Sequence, residues 1–475
     1  MPPEPAPLAT HYCEAVPDDT LVETEPGWLR GVRREGVVQF RGVPYALPPT
    51  GERRFGPPEP PPPWTGERDA TRHGPIPPQL PSRLRSVMGD PEPLPQGEDC
   101  LTLTISTPAR GEKPRPVLVW VHGGAYLTGS GSLAWYDGAC LAREGDLVVV
   151  GVNYRLGALG YLCQPGLSDG AQGVEDVLAA VRWVRANVGA FGGDPERITL
   201  MGQSAGGGMI GYLLARGQAR GLFRRAILQS AHLGRPPFSR ARGEERTARL
   251  AQLLGLDPGR PREVIAGFQE AAVEALLEGT AALARETARP GDTAPPLLPV
   301  VDDLSTVTSF VDGAAGGANG IDLLIGTTRD EARAFIGTPA FAADGPDVER
   351  VTESFRAPAL RLAEAVPAAW VYRFDWSPPG STIGACHCIE LPFVFGTGEA
   401  WRGAPMLAGA DVGEVARLTR RIQGAWIAFA HTGDPSTGDA PWPSYRAGHG
   451  LTGCFIGGPE LVRDVTEGAP VTAPG

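Results

Sequence analysis

From residue 116 onward the chain alternates short apolar runs with stretches of helical periodicity. Residues 117–121 and 147–152 are Val-rich runs with polar or Gly borders, as strands buried on both faces of a parallel sheet require. Val174, Val177, Leu178, Val181, Val184 and Val188 recur at helical spacing and predict an amphipathic helix over about 171–188. Residues 198–201 predict a strand that runs into a helix beginning near Ala205, and 226–229, 323–326 and 370–374 predict further strands. This alternation specifies an α/β chain with a mostly parallel, doubly wound sheet. Helical stretches at about 242–254 and 261–285 interrupt it and are expected to lie over the sheet as an insertion. The first hundred residues are rich in Pro and Gly, with six prolines in 55–64. They read as a cover of short strands and ordered loops, not as a linker, so residues 1–475 are expected to form one domain. No internal repeat is present.

Composition adds mainly exclusions. The chain is 42% hydrophobic and 20% charged, which is ordinary for a folded globule. A net charge of −11, with Lys113 the only lysine among 43 basic residues, argues against nucleic acid as a partner. No apolar run approaches the roughly 18 residues of a membrane span. Residues 1–20 lack the basic-then-apolar pattern of a signal peptide, so a cytoplasmic protein is expected. The seven cysteines (Cys13, Cys100, Cys140, Cys163, Cys386, Cys388, Cys454) are scattered and odd in number, which predicts reduced thiols.

Candidate chemistry begins at Gly202-Gln203-Ser204-Ala205-Gly206, a G-x-S-x-G pattern. A second match, Gly166-Leu167-Ser168-Asp169-Gly170, shows how weak the pattern is alone. Context separates the two. A nucleophile elbow needs a strand, a sharp turn and then a helix, so that the serine is held strained and exposed. Ser204 has both flanking elements; Ser168 follows Cys163-Gln164-Pro165 and reads as an ordinary loop serine. His122-Gly123-Gly124-Ala125 follows the strand at 117–121. Adjacent glycines bring main-chain amides close to a substrate, and the N–H groups of Gly123, Gly124 and Ala205 are the expected oxyanion donors. The alternative for the glycines is a simple turn closing the strand.

With these residues in place the chain resembles the type-B carboxylesterases, the cholinesterase-like family that includes bacterial esterases of the para-nitrobenzyl type. Phe40-Arg41-Gly42-Val43-Pro44-Tyr45-Ala46, with Pro48-Pro49, Gly51, Arg54-Phe55 and Trp64-Thr65-Gly66, resembles the family's first signature. Glu98-Asp99-Cys100-Leu101 and Asn153-Tyr154-Arg155-Leu156-Gly157 resemble the next two, and Phe191-Gly192-Gly193-Asp194-Pro195 leading into 202–207 is the most specific. The resemblance implies an α/β-hydrolase fold with an N-terminal strand and loop cover and helical lid insertions, at about 240–320 and 335–370. It also implies hydrolysis of carboxylic esters through an acyl-enzyme, no cofactor, no metal, and a Ser–Glu–His triad in that chain order. The acid then falls in Gly326-Thr327-Thr328-Arg329-Asp330-Glu331, as Glu331 with Asp330 the alternative. The base must come after the acid, which leaves His387, His431 and His449. His431 ends an apolar helix of about 411–430 as a C-terminal cap, and His449 lies between glycines in a tail loop. His387-Cys388-Ile389-Glu390-Leu391 matches the family's H-x-x-E-L, so His387 is the expected base. Ser230 matches a family serine that braces the triad from behind. The expected partner is a small-molecule ester, with no nucleic acid and no membrane, for a monomer or weak homo-oligomer.

Some positions depart from the family pattern. Residues 74–79 hold no cysteine to pair with Cys100, so Cys100 is expected to be free. Ala332 and Ala231 stand where glycines are usual. The span from Glu331 to His387 is short, which predicts a wider cleft unless the insertion at 242–285 closes it. Competing readings are a non-catalytic scaffold relative, another acyl-transfer activity (amidase, lactonase or transacylase), and a metal site at Cys386-His387-Cys388, whose adjacent spacing fits no zinc pattern.

Overall fold

A computed structural model of the chain describes residues 18–445 without 110, 112, 290, 337–345 and 439, together with the backbone of 451–455 and 459–463. The strands before the elbow are β1 (Leu21–Thr24), β2 (Gly27–Arg30), β3 (Val32–Arg34), β4 (Val37–Pro44), β5 (Glu67–Asp69), β6 (Thr102–Pro108), β7 (Arg115–Val121), β8 (Val148–Val152), β9 (Cys163–Gln164) and β10 (Ser168–Asp169). After them come β11 (Gly193–Gln203), β12 (Arg225–Gln229), β13 (Asp322–Thr328), β14 (Ala369–Phe374), β15 (Leu451–Phe455) and β16 (Pro459–Arg463). An 11-stranded sheet runs in the order β16-β15-β14-β13-β12-β11-β7-β8-β6-β4-β3. It is parallel from β15 to β8 and antiparallel at both edges.

Both faces of the central strands are buried, which is why they read as continuous Val-rich runs. Val117, Val119 and Val121 enter one core with the helices Gln172–Asn187 and Ala205–Ala215. Leu118 and Trp120, pointing the other way, enter a second core with the helix Val412–Thr432. Among the described residues no helix is long and apolar enough to cross a membrane. Cys100 is buried and forms no disulfide.

The structure corrects four sequence expectations in detail. The first hundred residues are not only a cover: β3 and β4 pair onto β6 and extend the main sheet, while β1, β2 and β5 form a separate small sheet. The helix expected over 261–285 is two helices, Pro261–Glu270 and Val273–Thr287, because Ala271 and Ala272 turn extended. The Arg54 guanidinium closes that break by donating to the carbonyls of Gln269 at 2.9 Å and Ala271 at 2.6 Å, satisfying groups a helix end leaves open. Ser168 lies on the β9–β10 ribbon, where its hydroxyl donates to Gln172 Oε1 at 2.6 Å. His431 does not cap its own helix, which ends on the left-handed Gly433; its Nε2–H donates to Gly145 O at 2.8 Å, the end of the neighbouring helix Ala139–Gly145. His449 lies outside the described residues.

The register lines up the carboxyl ends of the middle strands. Gly202 of β11 stands opposite Val121 of β7 and Leu228 of β12. The residues just past these ends, His122, Ser204 and Ser230, therefore meet at one edge, where open α/β sheets hold their ligands.

Candidate active site

Ser204 sits at the junction of β11 and the helix Ala205–Ala215 with φ 55° and ψ −119°, a conformation L-residues seldom adopt. Its amide donates to Gln229 O at 2.9 Å, and its carbonyl accepts from His232 N at 3.0 Å and Gly208 N at 2.9 Å. The strain is thus held by bonds on both sides. The turn closes only because Gly206 has no side chain: a Cβ there would lie 2.0 Å from Val121 O.

Glu331 begins a tight turn directly after β13 and is fully buried. One carboxylate oxygen accepts the Thr328 amide at 2.9 Å; the other lies 2.5 Å from His387 Nδ1, which donates to it. His387 is 56 residues later, in the loop between β14 and the helix Leu391–Phe395. Asp330 ties that loop to the acid turn: its amide donates to Ala385 O and its Oδ2 accepts from Ala385 N, both at 2.9 Å. Asp330 therefore fixes the loop that carries His387, and Glu331 meets the imidazole. Burial works against a charge on His387, but its neighbours Cys388 and Glu331 outweigh it and raise the imidazole well above its usual range. Burial raises the Cys388 thiol as well, and the Glu331 carboxylate is the partner that hydrogen-bonds the ring.

His122 closes β7 and is locked in place. Its ring stacks on Tyr154 at 4.3 Å, its Nδ1–H donates to Gly123 O at 2.8 Å, and Tyr154 Oη donates to its carbonyl at 2.7 Å. Burial lowers its pKa to about 4, so it is neutral. Gly124 has φ 112°, and a Cβ on it would stand 2.0 Å from Thr128 O. Ala125 and Tyr126 come next, both in the left-handed region. The amides of Gly123 and Gly124 make no hydrogen bond among the described residues, and the amide of Ala205, first in its helix, has none either.

These groups open on one cavity of about 570 Å³ lined by Gly123, Gly124, Ser204 and His387. The size suits a small organic ligand. Its walls come from the loop around Arg83, the helix Val273–Thr287 with the chain behind it, Phe335, and Phe355 of the helix Pro346–Ala365. The helix Val273–Thr287 of the insertion thus walls the cavity onto which Ser204 opens.

Of the expected residues, Ser204, Glu331, His387, Gly123, Gly124 and Ala205 converge. Ser230 is adjacent, with its amide on Gly326 O at 2.7 Å, but its buried hydroxyl has no hydrogen-bond partner among the described residues. No hydrogen bond joins Ser204 Oγ to His387 Nε2. That nitrogen instead faces the side-chain amide of Gln203, at 3.1 Å, which also donates to Cys388 Sγ at 3.3 Å. Sequence reasoning misses three neighbours. Gln203 lies inside the G-x-S-x-G pattern, and its place there is the signal. Glu390, in the motif that carries His387, is buried; burial and then Glu331 raise its pKa to about 7. His232, two residues past Ser230, lines the cavity, and nothing in its local sequence marks it.

Comparison with known proteins identifies the family. A profile of the carboxylesterase family matches residues 18–354. A protein of Rhodococcus erythropolis described as a probable N-octanoylanthranilate hydrolase is 41% identical, over 92% of this chain and 99% of its own. The para-nitrobenzyl esterase of Bacillus subtilis is 37% identical, over 90% of this chain and 92% of its own. A solved PNB esterase superposes with a TM-score of 0.86 at 34% identity, covering 94% of this chain and 98% of its own. The chain therefore belongs to the carboxylesterase family and is a carboxylic ester hydrolase of the α/β-hydrolase fold.

Proposed function

We propose that Ser204 is the nucleophile, His387 the general base and acid, and Glu331 the group that orients His387, with the amides of Gly123, Gly124 and Ala205 as the oxyanion hole. The observation that carries this reading is the strained Ser204 opening on the same cavity as the buried 2.5 Å His387–Glu331 pair. His387 Nε2 takes the Ser204 proton as Oγ attacks the ester carbonyl, and the three amides receive the developing oxyanion. Collapse expels the alcohol with that proton and leaves an acyl-enzyme. Water, activated by the same imidazole, then releases the acid. In the resting arrangement Gln203 donates to His387 Nε2, so this bond must give way when Oγ turns toward the base. Apo sites often show such looseness.

The segments at 240–320 and 335–370 act as the lid, and the chain works on small esters as a monomer or weak homo-oligomer. A second reading has one observation in its favour: the Rhodococcus relative is named for an N-octanoyl bond, which is an amide, so amide hydrolysis belongs in the same assay. The test is Ser204→Ala with p-nitrophenyl butyrate. Loss of the serine is expected to lower kcat by up to ~10⁶-fold, and an organophosphate is expected to label Ser204 in the wild type. An adduct on Ser168 would overturn the assignment.

A further inference from the structure

One end of the cavity carries polar groups that the triad does not use. His232 is 6% exposed, and its ring stacks against Phe355, which in turn packs on His387. Its Nδ1 is buried without a partner among the described residues, and the residue lines the cavity. Burial, helped by the charges of Arg235, Arg83 and His387, holds the imidazole well below its usual pKa, so it is neutral. A neutral imidazole carries one N–H, and a buried unpaired N–H is costlier than a buried unpaired acceptor. The proton is therefore on Nε2, and His232, a residue of the cavity wall, presents its donor from that nitrogen.

Arg83 lines the same cavity. Its Cζ lies 5.8 Å from the centre of the Phe335 ring, itself 5.4 Å from the His387 ring, and its Nη2 donates to Thr293 O at 2.6 Å. It makes no ion pair among the described residues. Of the other charged groups lining the cavity, Asp292, whose charge also acts on Arg83, is paired with Arg235 at 2.6 Å, and Asp90 with Arg85 at 2.8 Å; Glu92 and Arg285 are exposed, as is part of Arg83 itself. The end nearest His387 is left with an unmatched guanidinium beside an imidazole donor.

We propose that Arg83 and His232 form a carboxylate subsite, so that this esterase prefers esters bearing a free carboxylate on their acid or alcohol part. The inference rests on the assignment of Ser204, Glu331 and His387 above. A carboxylate is the ligand that a guanidinium and an N–H donor match together, and among the described residues neither group is ion-paired, the Asp292 carboxylate that acts on Arg83 being held by Arg235. The apolar remainder of the cavity, with Leu84, Met88, Leu133, Trp135 and Phe335, takes the hydrocarbon part.

The experiment compares charged and neutral esters of matched length. The p-nitrophenyl monoester of glutaric acid is set against p-nitrophenyl hexanoate for the acid side, and the acetyl ester of 4-hydroxybenzoate against 4-isopropylphenyl acetate for the alcohol side. The expected result is a higher kcat/KM for the charged member of at least one pair, expressed in KM and reduced by added salt. Arg83→Gln should lower that charged-over-neutral ratio by about 10- to 100-fold, the worth of one charge-assisted hydrogen bond. Arg83→Lys should retain part of it, and His232→Phe, which keeps the stacking but removes the donor, should lower it by less than Arg83→Gln. No preference in either pair, or a ratio unchanged in Arg83→Gln, overturns the subsite while leaving the triad intact. Failure of the wild type to cleave any of the four esters would instead bring down the triad assignment, and the subsite with it.

Discussion

Replacing Glu331 by Gln removes one charge and almost no volume, so its effect can be worked out from the two bonds the carboxylate makes. Its partners are the Thr328 amide at 2.9 Å and His387 Nδ1 at 2.5 Å. Both partners donate. A carboxamide has a single acceptor, so one side must face its NH₂ group. The backbone donor of Thr328 cannot change, whereas imidazole can move its proton from Nδ1 to Nε2. The amide oxygen therefore stays on Thr328, and the NH₂ group meets an unprotonated Nδ1. His387 is then locked with N–H on Nε2, the nitrogen that has to accept the Ser204 proton. The wrong tautomer and the lost support for imidazolium are expected to lower kcat by ~10⁴-fold, as loss of the orienting carboxylate does in other triads. That corresponds to about 5.4 kcal/mol of barrier. The assay is kcat and kcat/KM for p-nitrophenyl butyrate across pH. In the wild type His387 must lose its proton to act, and its pKa is raised, so the acidic limb should lie above pH ~6.5. Without the Glu331 charge, burial weighs more heavily against the imidazolium and the residual activity should have its limb at lower pH. Asp330→Asn is the comparison, since Asp330 only ties the base loop through Ala385. A Glu331→Gln enzyme within tenfold of wild type, beside an inactive but folded Asp330→Asn, would refute the reasoning.

Single contacts set the other expected outcomes. Gly124→Ala forces a Cβ to 2.0 Å from Thr128 O at a φ of 112°, so the oxyanion loop should shift and kcat fall by ~10²–10³-fold; wild-type turnover in a folded variant would place the donors elsewhere. Gln203→Glu puts a carboxylate where the amide now faces His387 Nε2, and should move the acidic limb of kcat/KM upward by about 1–3 pH units, read from the same pH series. Asp176→Asn breaks the buried pair in which Arg155 is 2% and Asp176 0% exposed; urea unfolding should show a loss of about 3–5 kcal/mol, and a loss below ~1 kcal/mol would contradict it.

What was legible in the sequence was what local patterns encode. The central strands read as apolar runs because helices cover both faces of β7, β8 and β11. Ser204 could be told from Ser168 because an elbow is a strand–turn–helix contiguous in sequence. Glu331 and His387 needed family resemblance, since their meeting depends on the pairing of β13 with β14 and on the Asp330–Ala385 tie, neither of which leaves a periodic trace. The edge strands β3 and β4 were harder, because Val37–Pro44 mixes apolar and polar residues and pairs over a distance with β6. The break at Ala271 was hidden for the same reason: good helix formers flank it, and the groups that stabilise it come from Arg54, more than two hundred residues away. Arg83 carried no signal, because nothing local marks which arginine of a loop will face a cavity.

The residues that the local rules describe worst are also the ones at the site. Among the described residues, the non-glycine positions with positive φ are Glu35, Ala125, Tyr126, Asp146, Ser204, Ser230 and Cys388. Glu35 and Asp146 are at a hairpin turn and a helix end, where polar residues take this conformation at little cost. The other five surround the catalytic centre, and each is an apolar, serine or thiol side chain with no local bond to favour it. A left-handed backbone costs such residues about 1–2 kcal/mol apiece, so together they would unfold an isolated loop. They persist because the sheet fixes both ends of each segment: Ser204 between β11 and its helix, Ser230 by its amide on Gly326, Cys388 between the Ala385 tie and the helix Leu391–Phe395. In the proposed site these turns carry the Ser204 hydroxyl, the neighbour of His387 and the amides assigned to the oxyanion hole, all at the same edge of the sheet. The cost of that preorganisation is borne by the two cores on either side of the sheet, which is why the most regular part of the chain and its least regular part meet at the carboxyl ends of β7, β11, β12 and β13.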